Sequence, residues 1–290
     1  MEKHIAPSEL IINSDGSVFH LHVKPEMLTD NIILVGDPAR VTLVASFFDT
    51  ITAEVSSREF HTICGTYKGK PIMCVSHGIG ADNIDIVVNE LDALANIDFN
   101  TRTINKTFRQ LTMVRIGTSG SIQEDVPVGA MVVSRRSLGI DGAFHFYKDS
   151  EKFRNIEMEN SFIEQCNWHP VWNHPYIVDA DTELADRLQT PEMFSGITIT
   201  ANGFYGPQGR ELRLPIADEN YKEVLHKFNY NGERIVNFEM ESAMLAGLAK
   251  LMGHKAVTVC SIIAGRMTAK ANTNYKGSIE DLIKIVLDRI

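Results

Sequence analysis

The sequence has no apolar run approaching the roughly 18 to 20 residues that a membrane-spanning helix requires. It has little cysteine: Cys64, Cys74, Cys166 and Cys260 are widely scattered and form no CxxC pair. That spacing argues against a disulfide framework and leaves four free thiols. Positive charge is in deficit, with 28 Lys and Arg against 37 Asp and Glu. The net charge of -9 speaks against a nucleic-acid or anionic-membrane surface, since both need a basic field. Met1-Glu2-Lys3-His4 shows no signal-peptide core, so a cytoplasmic location is expected.

Several catalytic signatures are also missing. There is no GxxxxGK(S/T) phosphate loop and no G-x-S-x-G nucleophile elbow. Gly78-Ile79-Gly80-Ala81-Asp82-Asn83 begins like a dinucleotide fingerprint but lacks its third glycine. His145, His169 and His174 lie near one another in a tryptophan-containing stretch, at spacings that match no common metal motif. No repeat, low-complexity linker or charge block divides the chain, and 290 residues can bury a large core. One domain over residues 1–290 is expected.

Short β-rich runs punctuate the chain at Ile32–Val35, Ile72–Ser76, Leu111–Gly117, Ala130–Ser134, Ile197–Ala201 and Ala256–Ile263. Helical periodicity fills gaps between them. Asp82–Asn96 carries Ile84, Val87, Val88, Leu91, Leu94 and Ala95 on one stripe, with Asp82 as the expected N-cap. Phe238–Met252 repeats the pattern and ends at Gly253, and Ser278–Ile290 reads as a closing amphipathic helix. Strands alternating with helices predict an α/β architecture with a largely covered, partly parallel or mixed sheet. Residues 141–195 are irregular and aromatic, an expected elaboration near a site or a subunit contact.

Three islands carry candidate chemistry. Val114-Arg115-Ile116-Gly117-Thr118-Ser119-Gly120 puts an arginine before an expected glycine turn at the end of a buried strand. A buried guanidinium needs an anion, either a ligand or a nearby carboxylate. Gly36-Asp37-Pro38-Ala39-Arg40 repeats the device after Ile32–Val35. Two strand-end glycine turns with one arginine each suggest a bound phosphate held by Gly36, Arg40, Arg115 and Thr118. Arg58, in Ser56-Ser57-Arg58-Glu59-Phe60, could complete the clamp or pair with a surface carboxylate.

The second island is Asn237-Phe238-Glu239-Met240-Glu241-Ser242. Its carboxylates could grip sugar hydroxyls, with the Met240 thioether packed on a sugar or base face, or could merely favour a helix N-terminus. The third is Phe204-Tyr205-Gly206-Pro207-Gln208-Gly209-Arg210. An aromatic pair, an amide and a guanidinium suit a flat heterocycle with two carbonyls and an N–H, or form an ordinary polar loop.

Together these islands resemble the nucleoside phosphorylases of the purine and uridine phosphorylase type, most closely the uridine phosphorylases. The matching pieces run in the family's order from Val18-Phe19-His20-Leu21 through Gly36–Val41, Ser57–Phe60, Gly78–Gly80, Arg115–Gly120 and Phe204–Arg210 to Phe238–Ala243. The resemblance implies a three-layer α/β/α sandwich around a mixed, barrel-like sheet. It also implies reversible phosphorolysis of uridine to uracil and ribose 1-phosphate, with phosphate as co-substrate and no organic cofactor. On that resemblance Gly36, Arg40, Arg115 and Thr118 would bind phosphate, joined by Arg58 from a neighbouring subunit. Met240 and Glu241 would hold the ribose with Glu239 beside them, and the neighbour's His20 would reach the 5′-hydroxyl. Phe204, Gln208, Arg210, Ile263 and the lid arginine Arg266 would face the base. Arg115, Arg210 and Glu241 would carry the catalysis.

The family also implies a homo-oligomer, either a dimer or a hexamer built as a trimer of dimers. In some relatives a monovalent cation such as potassium sits between subunits. Glu59 and Ile79 match that pattern here, while Asn83 replaces a hydroxyl. The rival readings are a purine nucleoside phosphorylase, a hydrolytic nucleosidase and a non-catalytic nucleoside binder. The purine enzymes place an aspartate by the base, and Cys260–Ala264 has no acid.

Overall fold

The structure, a computed structural model, describes residues 4–290. The first part of the chain forms β1 (Asn31–Val35), α1 (Pro38–Ala45), β2 (Thr50–Ser57), β3 (Phe60–Tyr67), β4 (Lys70–Ser76) and α2 (Ala81–Asn96). Two short strands, β5 (Ile97–Asp98) and β6 (Thr103–Ile104), pair with each other apart from the main sheet, and Thr103 also bridges His4. The middle forms β7 (Thr112–Ser121), β8 (Met131–Gly139), α3 (Ile156–Gln165), β9 (Tyr176–Asp179), α4 (Thr182–Leu188) and β10 (Phe194–Thr200). The last part forms α5 (Tyr221–Lys227), β11 (Asn229–Tyr230), β12 (Glu233–Glu239) and α6 (Ser242–Met252). It closes with β13 (Lys255–Gly265), β14 (Lys270–Ala271) and α7 (Lys276–Arg289).

The main sheet runs β11-β12-β10-β8-β13-β7-β1-β4-β3-β2, with β9 on β8 and β14 on β13. β12 also pairs back onto β7 through Asn237–Ser121 and Phe238–Gly120. That contact closes β12, β10, β8, β13 and β7 into a five-stranded barrel, and β1-β4-β3-β2 extend from it as an open wing. The sheet is mixed, as expected. β1, β4, β7 and β13 are mutually parallel neighbours, whereas β13–β8 and β12–β7 are antiparallel.

The side-chain period of a strand explains the layers. Ile32 and Leu34 of β1 pack with Val87, Leu91, Leu245 and Leu248 from α2 and α6. Ile33 and Val35 point to the opposite face, where Val41, Leu184, Leu282 and Val286 bring in α1, α4 and α7. A strand covered on both faces can be apolar at every position, which is why Ile-Ile-Leu-Val reads as an unbroken run. Burial of each such side chain contributes about 1.5–3 kcal/mol. The result is the expected α/β/α sandwich around a barrel-like sheet.

Some local expectations need correction. Gly117–Gly120 is not a turn: β7 continues through it to Ser121, paired with Cys260–Gly265 of β13. The glycine at 117 serves a side chain instead, since a Cβ there would lie 2.5 Å from Arg115 Nη1. α2 starts after Gly80, whose φ of 97° suits glycine, so Asp82 lies in the first turn and is not the cap. The helix expected from Phe238 begins at Ser242, because Phe238 and Glu239 end a strand that the helical spacing concealed.

Residues 141–195 contain two 3-10 turns, α3, β9 and α4. Phe144 anchors the stretch by packing on Gly247 of α6, where a Cβ would come within 2.9 Å of its ring. All four cysteines are buried and unpaired. No described helix is long and apolar enough to cross a membrane.

Candidate active site

The C-terminal ends of parallel strands are where open α/β sheets build their crevices, because the connections to the following helices diverge there. Here β1 leads through Gly36 and Asp37 into α1, β4 through His77–Gly80 into α2, and β12 through Met240 and Glu241 into α6. β7 crosses beside them, pairing Arg115 with Leu34 of β1 and Thr258 of β13. These segments enclose a cavity of about 970 Å³. Gly36, Arg40, Arg115, Thr118, Glu239, Met240 and Glu241 line it, as do Phe204, Gln208, Arg210 and Ile263. The structure therefore brings most of the sequence-predicted residues to one place.

Arg115 is the centre of the site. Its side chain folds back over Gly117 and is only 4% exposed as a residue. Nη1 lies 2.9 Å from Glu239 Oε2, and Nη2 donates to Glu241 Oε2. Nε donates to His77 Nε2 at 3.2 Å. Burial alone would lower the pKa of this guanidinium, but Glu241 and Glu239 outweigh it and raise the value. Both sources of compensation weighed in the sequence, carboxylate and ligand, can thus act on one group. The carboxylates are in place, and Nη2 keeps a second hydrogen for a ligand.

The two glutamates have different places. Glu239 accepts from Thr200 Oγ1 (2.7 Å), Ser242 Oγ (2.7 Å), and the backbone N–H groups of Glu241 (2.9 Å) and Ser242 (2.9 Å). With Arg115 added, its oxygens are saturated, so Glu239 anchors the start of α6. Among the described residues the hydrogen-bond donors to the Glu241 carboxylate are Gly80 N–H (2.7 Å) and Arg115, which leaves lone pairs on the cavity side. Burial raises its pKa above the ordinary carboxylate value, with Arg115 opposing. Of the expected ribose-holding acids, Glu241 is the one with acceptor capacity to spare.

At the Gly36 end, Arg40 Nη1 donates to Ile116 O at 3.3 Å, tying α1 to β7. Burial lowers the Arg40 pKa, and Tyr275 partly compensates while Arg115 repels. Gly36 allows a close approach, since a Cβ there would meet Gly78 O at a tight 3.2 Å. At the opposite end Arg210 stacks on the half-exposed Phe204 ring, its Cζ 3.8 Å from the centroid. It donates to Phe204 O at 2.8 Å and to the buried Gln208 Oε1. Burial and the neighbouring Arg266 push its pKa down to about 10. Arg266 donates to Gly209 O at 3.3 Å and packs along Gly120, behind this loop, while its buried Nη1 has no partner among the described residues.

His20 and Arg58 are not among the residues lining this cavity. They share another face: Arg58 lies over the Phe19 ring at 5.7 Å, and Phe19 meets His20 edge-on at 4.8 Å. His20 Nδ1 is 2.6 Å from Glu90 Oε1. Glu59, Ile79 and Asn83 line the cavity, with Glu59 and Asn83 both against Gly78. Asn83 turns its amide nitrogen toward Gly78, with the Glu59 side chain beside it. Among the described residues no group of three or more His, Cys, Asp or Glu could hold a metal ion.

Sequence reasoning missed His77 and Thr200. Each directly follows or ends a strand-like apolar run, the same position that drew attention to Gly36, so strand-end placement was the available signal.

The chain is an α/β protein, a five-stranded barrel with a wing that carries a buried arginine between two glutamates at its strand ends. The chain belongs to the phosphorylase superfamily, whose description matches residues 30–288. It is 28% identical over 262 residues to a uridine phosphorylase of Thermococcus kodakarensis, covering 88% of this chain and 79% of the relative. A uridine phosphorylase of Escherichia coli is 28% identical over 87% of this chain and 88% of its own length. Among solved structures, a Trypanosoma brucei nucleoside phosphorylase described as showing uridine phosphorylase activity superposes with a TM-score of 0.86 at 28% identity. That match covers 97% of this chain and 98% of the other.

Proposed function

We propose that this protein catalyses reversible phosphorolysis of uridine, giving uracil and ribose 1-phosphate. The observation that carries the reading is the Arg115–Glu241 pair, which couples a buried cation to a carboxylate with free acceptor sites inside one cavity. Phosphate held by Arg115, Arg40, Gly36 and Thr118 attacks C1′ from the face opposite the base. The phosphate O–C1′ bond forms as the C1′–N1 bond breaks; its electron pair leaves on N1, and the uracil anion takes up one proton from water. Glu241, with Met240 beside it, fixes the ribose hydroxyls, so positioning and electrostatics supply the acceleration. Arg210 and Gln208, preset by stacking on Phe204, stabilise the charge that builds on the departing base. No organic cofactor or potassium ion is assigned a step.

The site charges support a subunit-shared assembly. Arg40 and Arg115 are cancelled by Glu239 and Glu241, so a phosphate dianion gains from a further cation. Arg58 and His20, clustered around Phe19 outside their own cavity, would supply a neighbour's cavity in a homo-oligomer. Four buried free thiols suit a reducing, cytoplasmic setting.

Uracil release followed with uridine in the presence and absence of phosphate tests the activity. Turnover is expected only with phosphate. Release without it would mark a hydrolase, and preference for inosine would overturn the pyrimidine assignment. Subunit sharing has its own test. Arg58→Ala and Arg115→Ala are each expected to be inactive, but unfolding and refolding them together should restore roughly a quarter of wild-type activity. Half of the dimers would be mixed, with one of their two sites intact. No recovery on mixing would place Arg58 outside a shared site.

A further inference from the structure

His77 is fully buried, directly follows β4, and is tied to the end of β1 by its backbone N–H donating to Val35 O at 2.8 Å. Its ring lies between Gly36 and Arg115: a Cβ on Gly36 would come 3.7 Å from Cε1, and Nε2 is 3.2 Å from Arg115 Nε. Because Nε2 accepts that hydrogen, the neutral ring carries its own proton on Nδ1. Nδ1 has no partner among the described residues.

We propose that His77 is a positioning residue for Arg115, its ring nitrogen fixing the guanidinium so that both Nη groups face Glu239, Glu241 and the phosphate. The proposal rests on reading Arg115 as the phosphate arginine. A guanidinium whose Nη groups are shared among two carboxylates and a ligand still has Nε–H to satisfy in a buried site, and an unmet donor would turn the plane. The acceptor must also be uncharged. A third carboxylate would outweigh the two arginines and repel phosphate, and a protonated ring would have no lone pair on Nε2 with which to accept from Arg115. Burial and those two arginines hold the His77 pKa well below its usual value. A neutral imidazole meets both conditions.

The test compares His77→Leu, which removes the acceptor, with His77→Gln, which keeps an acceptor oxygen on a side chain of similar reach. Inorganic phosphate binding is measured calorimetrically without nucleoside, and steady-state constants are taken for phosphate and uridine separately. His77→Leu is expected to weaken phosphate binding and raise the phosphate KM at least about tenfold, with the uridine KM changed less than about threefold. His77→Gln should return phosphate binding to within about threefold of wild type. Equal impairment of both variants, unchanged phosphate affinity in His77→Leu, or an equal rise in the uridine KM would overturn the proposal. If His77→Leu does not fold, His77→Ala against His77→Gln gives the same contrast. Wild-type protein that binds phosphate but does not release uracil would sink the proposed activity while leaving the calorimetric comparison readable.

Discussion

Arg115→Ala is expected to lower phosphate-dependent uracil release by about a hundredfold to a few thousandfold. Removing one partner of a buried ion pair costs about 3–5 kcal/mol, and each 1.4 kcal/mol is one decade. In the proposed reaction the loss falls on the group that joins phosphate to ribose. The same substitution leaves Glu239 and Glu241 buried beside each other with no cation between them. Glu241, already raised by burial, then loses the cation that opposes the rise, so its folded pKa climbs further above that of the unfolded chain. A raised carboxyl pKa gives stability that is fully present below the unfolded value, about 4.3, and is lost as pH rises through the folded value. The melting temperature of Arg115→Ala, relative to wild type, should therefore climb as pH is lowered from about 8 to about 5.5. Full activity in this variant would remove Arg115 from the centre of the site. A melting difference independent of pH would mean that the glutamates do not share one buried cation.

Much of this arrangement was legible in the sequence because backbone geometry imposes it. Gly36–Arg40 and the residues around Arg115 follow apolar runs, and in a covered sheet the ends of such runs must meet at one edge. The Phe204–Arg210 island keeps its chemistry within seven residues, so its stacking and amide contact are local. What remained hidden depends on contacts between distant segments. Nothing near Gly117 reveals that its missing side chain makes room for Arg115 two residues earlier. The helical spacing of Phe238–Met252 hid a strand end, because Phe238 and Glu239 are fixed by pairing with β7 and β10 rather than by local preference. Likewise, the unequal duties of Glu239 and Glu241 follow from Thr200 and Gly80, which lie far away in sequence. His77 was passed over because its one informative contact is with a residue 38 positions on.

Glu241→Gln is expected to lower kcat/KM for uridine by about a hundredfold to a thousandfold, and that for 2′-deoxyuridine distinctly less. A hydrogen bond to a charged acceptor contributes about 1.5–3 kcal/mol, which the deoxy substrate does not make at its missing hydroxyl. The preference for ribose should therefore shrink by about tenfold to a hundredfold. Glutamine keeps an oxygen for Gly80 N–H but turns its amide nitrogen to Arg115, so the variant also loses its half of a buried ion pair. The contrast between two nucleosides on one variant separates ribose recognition from that loss. Unchanged discrimination between the two nucleosides would assign ribose recognition elsewhere. The pH profile carries a second expectation. Burial holds the Glu241 pKa above 4.5, so wild-type kcat/KM should fall on an acid limb lying above the ordinary carboxylate range. In Glu241→Gln that limb should disappear. The same raised value makes the ionised form a cost to the fold: the stability it contributes is full below the unfolded pKa and lost as pH rises through the folded one. Under the proposed activity, catalysis and stability thus pull in opposite directions at this carboxylate, with Arg115 opposing the rise that burial imposes.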